Sequence, residues 1–329
     1  MSDYAHKQTD KELAKLEQRI ASVYEDAYKD LDQKVKDYFS SFAKRDEEQK
    51  ALLDSGGITK EQYTQWRLAQ IGRGERFEAL RDEIAERMTQ SNEIAIAYVN
   101  DTTPGIYSLN RNYAAYTIEQ VAGDVGFTLW DEQTVKRLIV ENPDLMPYYP
   151  AKRALNRGID LAYGKKQITA SVTSGILQGK SIKGLADDLQ ARIPTMNRDS
   201  AIRTARTAVT GTQNAGRQDS YIAAEKMGID LEREWVSTLD ARTREEHAMA
   251  DGQVVGVDEP FTVGGEKLMY PGDRNGSPWN VYNCRCTQIA KVKGVDTSDA
   301  KRRNRYGVMP DMTFAQWQNK KRVEGYLQE

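Results

Sequence analysis

The chain has 329 residues, enough for two or three domains of ordinary size. Its 47 Lys and Arg residues against 49 Asp and Glu give a formal net charge of -2, which excludes a strong overall attraction to nucleic acid or to anionic membranes. Hydrophobic residues make up 39% and charged residues 29%, with a mean hydropathy of -0.72. This composition is polar for a compact globule but too rich in aromatic residues for a disordered chain, and it favours long helices with much exposed surface.

No segment approaches the run of about 20 apolar residues that a membrane span needs. The polar N-terminal residues lack the apolar core of a signal peptide, so we expect a protein that stays in the cytoplasm where it is made, without membrane contact.

The first hundred residues carry two helical patterns. Apolar residues recur every three or four positions from Leu13 to Phe42, behind a capping-box pattern at Thr9 and Glu12. Ser55-Gly56-Gly57 interrupts this stripe.

A second cap, Thr59 with Gln62, precedes a second apolar stripe from Tyr63 to Met88. Gly72 and Gly74 interrupt the regular pattern of this stripe. Residues 1–100 are therefore predicted to form a long antiparallel helical hairpin. The two stripes either bury each other or form a stalk that binds a partner.

Residues 101–198 are predicted to be a helical middle region. Turn signals occur at Thr103-Pro104-Gly105, Asn142-Pro143 and Tyr148-Tyr149-Pro150. Short helices are expected at Asp131 to Val140, Ile168 to Leu177, and Ile182 to Leu189.

A longer helix is expected from Asp199 to Met227, with a C-cap at Gly228. Short extended runs follow, separated by Gly, Asp and Pro, with a short helix from Thr243 to Met249. These runs are 234–239, 254–255, 261–263, 267–270 and 285–292. Residues 199–295 are thus predicted to be a small α+β domain, and 296–329 a basic tail with a short final helix bearing Tyr306, Phe314 and Trp317. The fold class is α+β, with the N-terminal two thirds mostly helical.

The most specific chemistry lies in the α+β segment. Cys284 and Cys286 are the only cysteines, and a reducing compartment favours free thiols or metal ligands over a disulfide. On a strand, both thiols would point to one face and Arg285 to the other. With the ring nitrogen of His247, they provide three ligands for zinc, and Asp240 or Asp251 would complete a tetrahedral site. Such a structural zinc would stabilise a small domain.

The spacing differs from the usual Cys-x2-Cys of zinc sites. The alternative is that both thiols are buried as small apolar groups and His247 makes an ordinary hydrogen bond.

An enzymatic alternative uses His247 with Cys284 or Cys286 as a Cys–His pair, in a hydrolase or a nucleotide-dependent transferase. No oxyanion-hole signal accompanies the pair, and the second cysteine has no role in it, so we predict neither catalytic nor cofactor-binding residues.

Two basic features have alternative interpretations. Arg203, Arg206 and Arg217 share a helix with several threonines, and form either a clamp for phosphate or carboxylate or an exposed or salt-bridged face; the second is favoured. The run Lys301 to Arg305 is either a weak, sequence-independent DNA contact or a solvated linker.

The segment from Asp199 to Val292 resembles the phage Mu F-like family of head-morphogenesis proteins. The resemblance rests on the order and spacing of these pieces: Arg203-Thr204-x-x-Thr207, Trp235 with Ser237, Asp240-x-Arg242-Thr243-Arg244-x-x-His247, Asp251-Gly252-Gln253, Tyr270-Pro271-Gly272-Asp273 and Asn283-Cys284-Arg285-Cys286-Thr287. In the helical N-terminal region no motif matches.

The resemblance implies a minor capsid protein of a tailed bacteriophage and not an enzyme. Such a protein associates with the portal protein, with capsid or scaffolding protein as further candidate partners. It would lie in the virion, inside the capsid at the portal vertex, and in the host cytoplasm during assembly, and it would influence DNA packaging or ejection. Some relatives carry an appended toxin such as an ADP-ribosyltransferase, for which the tail after Val292 is expected to be too short.

Overall fold

The computed structural model describes residues 3–142, 157–195, 198–294, 303–304, 307–308 and 313–325. The helices are α1 (Tyr4–Ser40), α2 (Ala43–Asp54), α3 (Lys60–Gln70), α4 (Glu75–Ala122), α5 (Glu132–Glu141), α6 (Arg157–Leu177), α7 (Ile182–Arg192), α8 (Arg198–Lys226), α9 (Glu245–Ala250), α10 (Pro278–Val281) and α11 (Phe314–Val323). The strands are β1 (Leu231–Val236), β2 (Val254–Gly256), β3 (Phe261–Val263), β4 (Glu266–Leu268), β5 (Thr287–Val292), β6 (Arg303–Asn304) and β7 (Gly307–Val308). Long helices followed by a small antiparallel region confirm the predicted α+β class.

The N-terminal hairpin is confirmed by contacts between α1 and α4. Side chains pair in opposite chain directions: Asp30 with Arg87 at 2.8 Å, and Lys34 with Glu83. Buried apolar residues of both helices lie between these polar edges, including Leu31 and Ile84. The connection is more than a glycine turn, because α2 and α3 lie between the two long helices.

Several predicted helix ends are confirmed. Thr59 caps α3 with both hydrogen bonds of a capping box to Gln62. The Asp131 side chain accepts a hydrogen bond from the Thr134 amide and begins α5. After α8, Gly228 adopts φ 85°, the left-handed conformation expected of a C-cap glycine.

The predicted cap at Thr9 is wrong, because α1 begins five residues earlier at Tyr4. The Thr9 hydroxyl instead donates to the Ala5 carbonyl inside the helix and accepts a hydrogen bond from Asn110. A buried threonine one turn inside a helix satisfies its hydroxyl in this way.

The predicted turn at Thr103-Pro104-Gly105 is also wrong, because Pro104 lies inside α4. A proline removes one helical hydrogen bond, but burial of Val99, Ile106 and Tyr107 on both sides of it favours a continuous helix.

The C-terminal sheet has the strand order β2-β1-β5, all antiparallel. Its central strand β1 begins three residues before the expected run and ends at Val236. Side chains alternate along β1, and Leu231, Arg233 and Trp235 are all fully buried. The hairpin β3–β4 lies beside it, and Trp235 packs edge-on against Phe261 at 5.3 Å between ring centroids.

Helix α11 carries Phe314 and Trp317 as predicted, whereas Tyr306 lies outside the described residues. The Trp317 indole donates to Glu119 at 2.5 Å, and Lys321 pairs with the same carboxylate at 2.8 Å. Both charged side chains are almost fully buried, so α11 is held on α4 by a buried ion pair as well as by its aromatic rings.

The chain forms two compact units, each assembled from separate segments. One contains Met1–Leu16, Val99–Ala151 and Arg203–Glu329 in their described parts, and the other Glu17–Tyr98 and Lys152–Ile202. The four contiguous segments expected from the sequence do not coincide with these units, since α1 and α4 contribute residues to both.

Among the helices of the described residues, none combines the length and apolar character that crossing a bilayer requires.

Candidate metal centre

His247 is positioned by the short helix α9, which follows β1 after a tight turn. In this turn, Asp240 accepts a hydrogen bond from the Arg242 amide, and the Thr243 hydroxyl donates to the Thr238 carbonyl. The His247 ring is only 2% exposed and lies edge-on to Trp235, with 5.8 Å between ring centroids. The turn thus directs the imidazole into the core of the unit.

The sequence pattern predicts that Cys284 and Cys286 lie on a strand, and the structure shows that they do not. They precede β5 in an irregular segment that begins at Asn283, whose φ of 55° is in the left-handed region. The carbonyl groups of this segment accept hydrogen bonds from side chains and not from a neighbouring strand. The Thr210 hydroxyl donates to the Cys284 carbonyl at 2.6 Å, and the Asn214 amide nitrogen donates to the Cys286 carbonyl at 3.2 Å. These α8 side chains fix a backbone that still brings both thiols together.

The three side chains converge. His247 Nδ1 lies 3.3 Å from Cys286 Sγ and 3.7 Å from Cys284 Sγ. All three candidate ligand atoms lie within 4.8 Å of one another, and all three residues are buried. Both cysteines are free thiols.

Asn280 fixes the orientation of the imidazole. Its amide nitrogen donates to Val263 O at 3.1 Å and to Glu266 Oε2 at 3.0 Å, which leaves its oxygen facing His247 Nε2 at 2.8 Å. Nε2 therefore carries a proton and donates to Asn280. In the neutral ring this leaves the lone pair on Nδ1, directed at the thiols, as in a metal-ligating histidine with an outer hydrogen-bond partner.

The electrostatics of the cluster favour one thiolate. Hydrogen bonds from Cys284 and from His247 lower the pKa of Cys286 to about 4. Pairing with Cys286, together with burial, raises the pKa of Cys284 well above its ordinary value. Burial alone would lower the pKa of His247, but the hydrogen bond and charge of Cys286 and the hydrogen bond to Asn280 together outweigh burial and raise it. Without metal, the cluster thus favours a Cys286 thiolate, and a metal would displace any proton on Nδ1.

The cluster fits a zinc ion. Zn–S bonds of about 2.3 Å and Zn–N bonds of about 2.0–2.1 Å at tetrahedral angles place S and N about 3.5 Å apart. The two S···N distances, 3.3 and 3.7 Å, bracket that separation. Three ligands can thus surround one ion with little movement.

The predicted fourth ligands are not part of the cluster. Asp240 makes a two-pronged ion pair with Arg285, with both N···O distances at 2.6 Å. This pair and the Arg242 amide hold the pKa of Asp240 well below its ordinary value. Asp251 Oδ1 accepts from the Ser237 amide at 2.7 Å. Both carboxylates stabilise the segments that carry the cluster.

The basic face of α8 is largely internal. Arg217 is 3% exposed; it pairs with Asp3 at 2.5 Å and donates to the Gln288 carbonyl at 3.0 Å. Thr207 and Gln213 are also buried. Arg217 is buried and salt-bridged, as the favoured interpretation expected, whereas Arg203 and Arg206 are half-buried. Of the run Lys301 to Arg305, three residues lie outside the described residues and the other two belong to β6.

Sequence reasoning missed two polar residues of the site. Asn280 orients His247, and the Ser237 hydroxyl lies 3.7 Å from Cys286 Sγ and donates to the His247 carbonyl. Asn280 lies on α10, a short helix with Pro278 at its first turn, and no metal-ligand spacing connects it to His247. Only the three-dimensional fold shows its role.

Comparison with known proteins identifies the segment that carries this site. The sequence profile of the family described as Phage Mu protein F like protein matches residues 166–289, from within α6 to within β5. The match includes His247, Cys284 and Cys286.

Three curated relatives extend the comparison. The NAD(+)–arginine ADP-ribosyltransferase EFV of Enterococcus faecalis is 28% identical over 221 residues, 65% of this chain and 45% of that protein. The minor head protein GP7 of Bacillus phage SPP1 is 26% identical over 293 residues, 86% of this chain and 91% of that protein. The uncharacterized protein YqbB of Bacillus subtilis is 31% identical over 119 residues, 35% of this chain and 38% of that protein.

This chain therefore spans less than half of the Enterococcus protein but nearly all of the SPP1 protein. No solved structure matches the chain at a comparable level of significance.

Proposed function

We propose that this chain, a Mu F-like head-morphogenesis protein, acts as a minor head protein of a tailed bacteriophage. One observation carries the proposal: similarity to the SPP1 minor head protein runs along 86% of this chain and 91% of that protein. A match of 293 residues extends far beyond the segment 166–289 that the family profile matches, so it involves more than the segment that carries the metal centre.

We further propose that the protein binds the portal vertex inside the prohead and influences packaging or ejection of DNA. It would then reside in the virion, inside the capsid, after assembly in the host cytoplasm. Long helices offer extended surfaces for docking on a protein partner by helix-in-groove contacts. The net charge of -2 suits a protein that lies beside DNA without binding it tightly.

Co-expression of the full chain with the portal protein of the same phage tests this role. Size-exclusion chromatography with mass determination should show the two proteins eluting together at a fixed ratio. Separate elution of two folded proteins would contradict portal binding. Incorporation into purified proheads, measured on the same samples, would then show whether capsid or scaffolding protein recruits the chain.

Within this role we propose that His247, Cys284 and Cys286 bind a structural zinc ion. The matching S···N distances and the lone pair directed at the thiols support it. Metal analysis of protein purified without chelators should give one zinc per chain, and His247→Ala should abolish it. A wild-type content far below one zinc per chain would contradict a zinc centre.

The second candidate function is enzymatic, favoured by the Cys286–His247 contact and by the similarity to a protein named as an ADP-ribosyltransferase. Both thiols are almost fully buried, at 2% and 3% exposure, which opposes attack on a substrate. Cys286→Ala discriminates the two functions, because Cys286 is the thiol nearest to His247. An enzyme would lose its activity and keep its fold, whereas a structural centre would lose metal and thermal stability.

A further inference from the structure

We infer that the metal centre has three protein ligands and one exchangeable position that accepts a single solvent molecule or a small anion. The inference rests on the zinc centre proposed above and concerns its fourth ligand. In this arrangement the site can exchange a ligand, unlike a structural centre closed by four protein groups.

The first argument is the composition of the wall around the three ligands. His247, Cys284 and Cys286 line a single small cavity, whose other wall residues are Thr238, Arg242, Thr243, Arg244, Asn283 and Arg285. Among the described residues that line it, no fourth Cys, His, Asp or Glu is present. The two threonine hydroxyls are already used, as donors to the Arg285 and Thr238 carbonyls.

The second argument is that the nearest carboxylate is engaged elsewhere. Asp240 would have to leave both nitrogens of Arg285, each at 2.6 Å, and the Arg242 amide at 2.8 Å. Charge-assisted bonds in a two-pronged geometry are the stronger kind. Release of Asp240 would also leave Arg285 without its carboxylate. The carboxylate is therefore better placed as a support of the Cys-Arg-Cys segment than as a ligand.

The third argument is size. The cavity holds about 20 Å³. The ion and its fourth ligand would share this space, and one ordered water needs about 10–15 Å³ by the same measure. Beside the ion there is thus room for at most a single water or the bound end of a slender anion, and not for an additional side chain.

The fourth argument is charge. Two thiolates cancel the charge of Zn²⁺, so the neighbouring arginines decide which ligand is favoured. The carboxylate of Asp240 neutralises the charge of Arg285. Arg244 donates to the Asn280 and Tyr282 carbonyls, which are neutral, so its positive charge at the cavity wall is not neutralised by these contacts. Arg242, whose side chain is 78% exposed, lies 3.8 Å from the same Asp240 carboxylate, so one carboxylate faces two arginines and a net positive charge remains. Hydroxide or a small monodentate anion is therefore favoured at the fourth position.

Cobalt substitution of the full-length protein tests the inference, because the visible absorption of Co²⁺ reports its ligands. Removal of zinc, loading with Co²⁺ and titration with sodium azide should shift the cobalt bands with saturation at one azide per cobalt. Arg242→Ala should weaken azide binding about threefold, as expected for one screened charge near the site. Asp240→Asn should bind one Co²⁺ with the wild-type spectrum.

The outcomes separate this inference from the zinc centre itself. No Co²⁺ or Zn²⁺ uptake by the folded wild-type protein would overturn both. Stoichiometric uptake with a spectrum that azide leaves unchanged would overturn only the exchangeable position. A changed cobalt spectrum in Asp240→Asn, with unchanged thermal melting, would identify Asp240 as the fourth ligand and would also overturn it.

Discussion

At the scale of single residues, the C-terminal unit depends on charged side chains buried among polar groups. Arg233 is fully buried on β1, and its guanidinium donates to Gln218 at 2.7 Å and to Gln288 at 3.1 Å. It also donates to the Gly256, Glu259 and Met269 carbonyls. Burial lowers the pKa of Arg233 to about 10. One side chain thus ties the central strand to two loops.

Arg233→Lys should lower the free energy of unfolding by about 2–4 kcal/mol, because an ammonium group has fewer donors and leaves buried carbonyls unpaired. Urea denaturation monitored by circular dichroism measures the change. Arg242→Lys, at an exposed side chain, is the matched control and should be neutral. Equal stability of both variants would show that the guanidinium network contributes nothing specific.

The ion pair of Asp3 with Arg217 predicts a dependence on pH. Burial alone would raise the pKa of Asp3, but the charge and hydrogen bond of Arg217, together with the His6 amide, outweigh burial and lower it from 3.8. A carboxyl group with a lowered pKa in the folded state stabilises above its unfolded pKa, and this stabilisation is lost as pH falls through the folded pKa.

Asp3→Asn should therefore cost about 2–4 kcal/mol at pH 7. The difference between variant and wild type should shrink as the pH is lowered below about 4. Urea unfolding of both proteins from pH 7 to pH 3 measures it. A difference that stays constant over this range would assign the effect to packing and not to charge.

At the scale of elements, close packing of α4 against α8 depends on the absence of a side chain. A Cβ atom added at Gly216 would lie 2.7 Å from the Tyr107 carbonyl oxygen, a backbone atom that cannot rotate away. The two helix backbones can approach this closely only because position 216 is glycine.

Gly216→Ala should lower the free energy of unfolding by about 1–3 kcal/mol, since one of the helices must shift. Gly184→Ala in α7 is the matched control, because its Cβ would meet Ser181 Oγ no closer than 3.4 Å. That variant should be neutral or slightly stabilised by helix propensity. Differential scanning calorimetry of the two variants compares them directly, and an unperturbed melting temperature of Gly216→Ala would contradict the close approach.

The elements also show where sequence patterns predict structure. The sequence predicts the cap at Thr59 and the helix start at Asp131 correctly, because a cap is a local hydrogen bond within four residues. Pro104 was misjudged because helix continuity there depends on the burial of distant partners. The metal cluster shows both cases: residue types indicated His247 and the cysteines, whereas the role of Asn280 arises only from folding.

At the scale of the whole molecule, near neutrality limits contact with DNA. The basic residues Lys301, Arg302, Arg303 and Arg305 are the densest cationic run in the tail. Four charges give a weak attraction that depends steeply on salt, because binding releases counterions.

Replacement of these four residues by Gln should abolish binding to duplex DNA at low salt and leave the binding measured near physiological salt unchanged. Fluorescence anisotropy across a salt series measures binding. Replacement of the exposed residues Lys44, Arg45, Lys50 and Lys60 makes the same change in charge elsewhere and should leave binding intact. Equal losses in both variants would assign any DNA contact to overall charge.

The contacts of the first turns of α1 have a consequence for biosynthesis. Asp3, His6 and Thr9 contact Arg217, Gln213 and Asn110, and the His6–Gln213 pair joins positions 207 residues apart. If synthesis halts after α7, Asp3 and His6 lack these partners, because Arg217 and Gln213 on α8 have not yet been made. The unit that carries the metal cluster completes its core only after α11, with the buried Trp317, leaves the ribosome, so its folding is late and depends on nearly the whole chain.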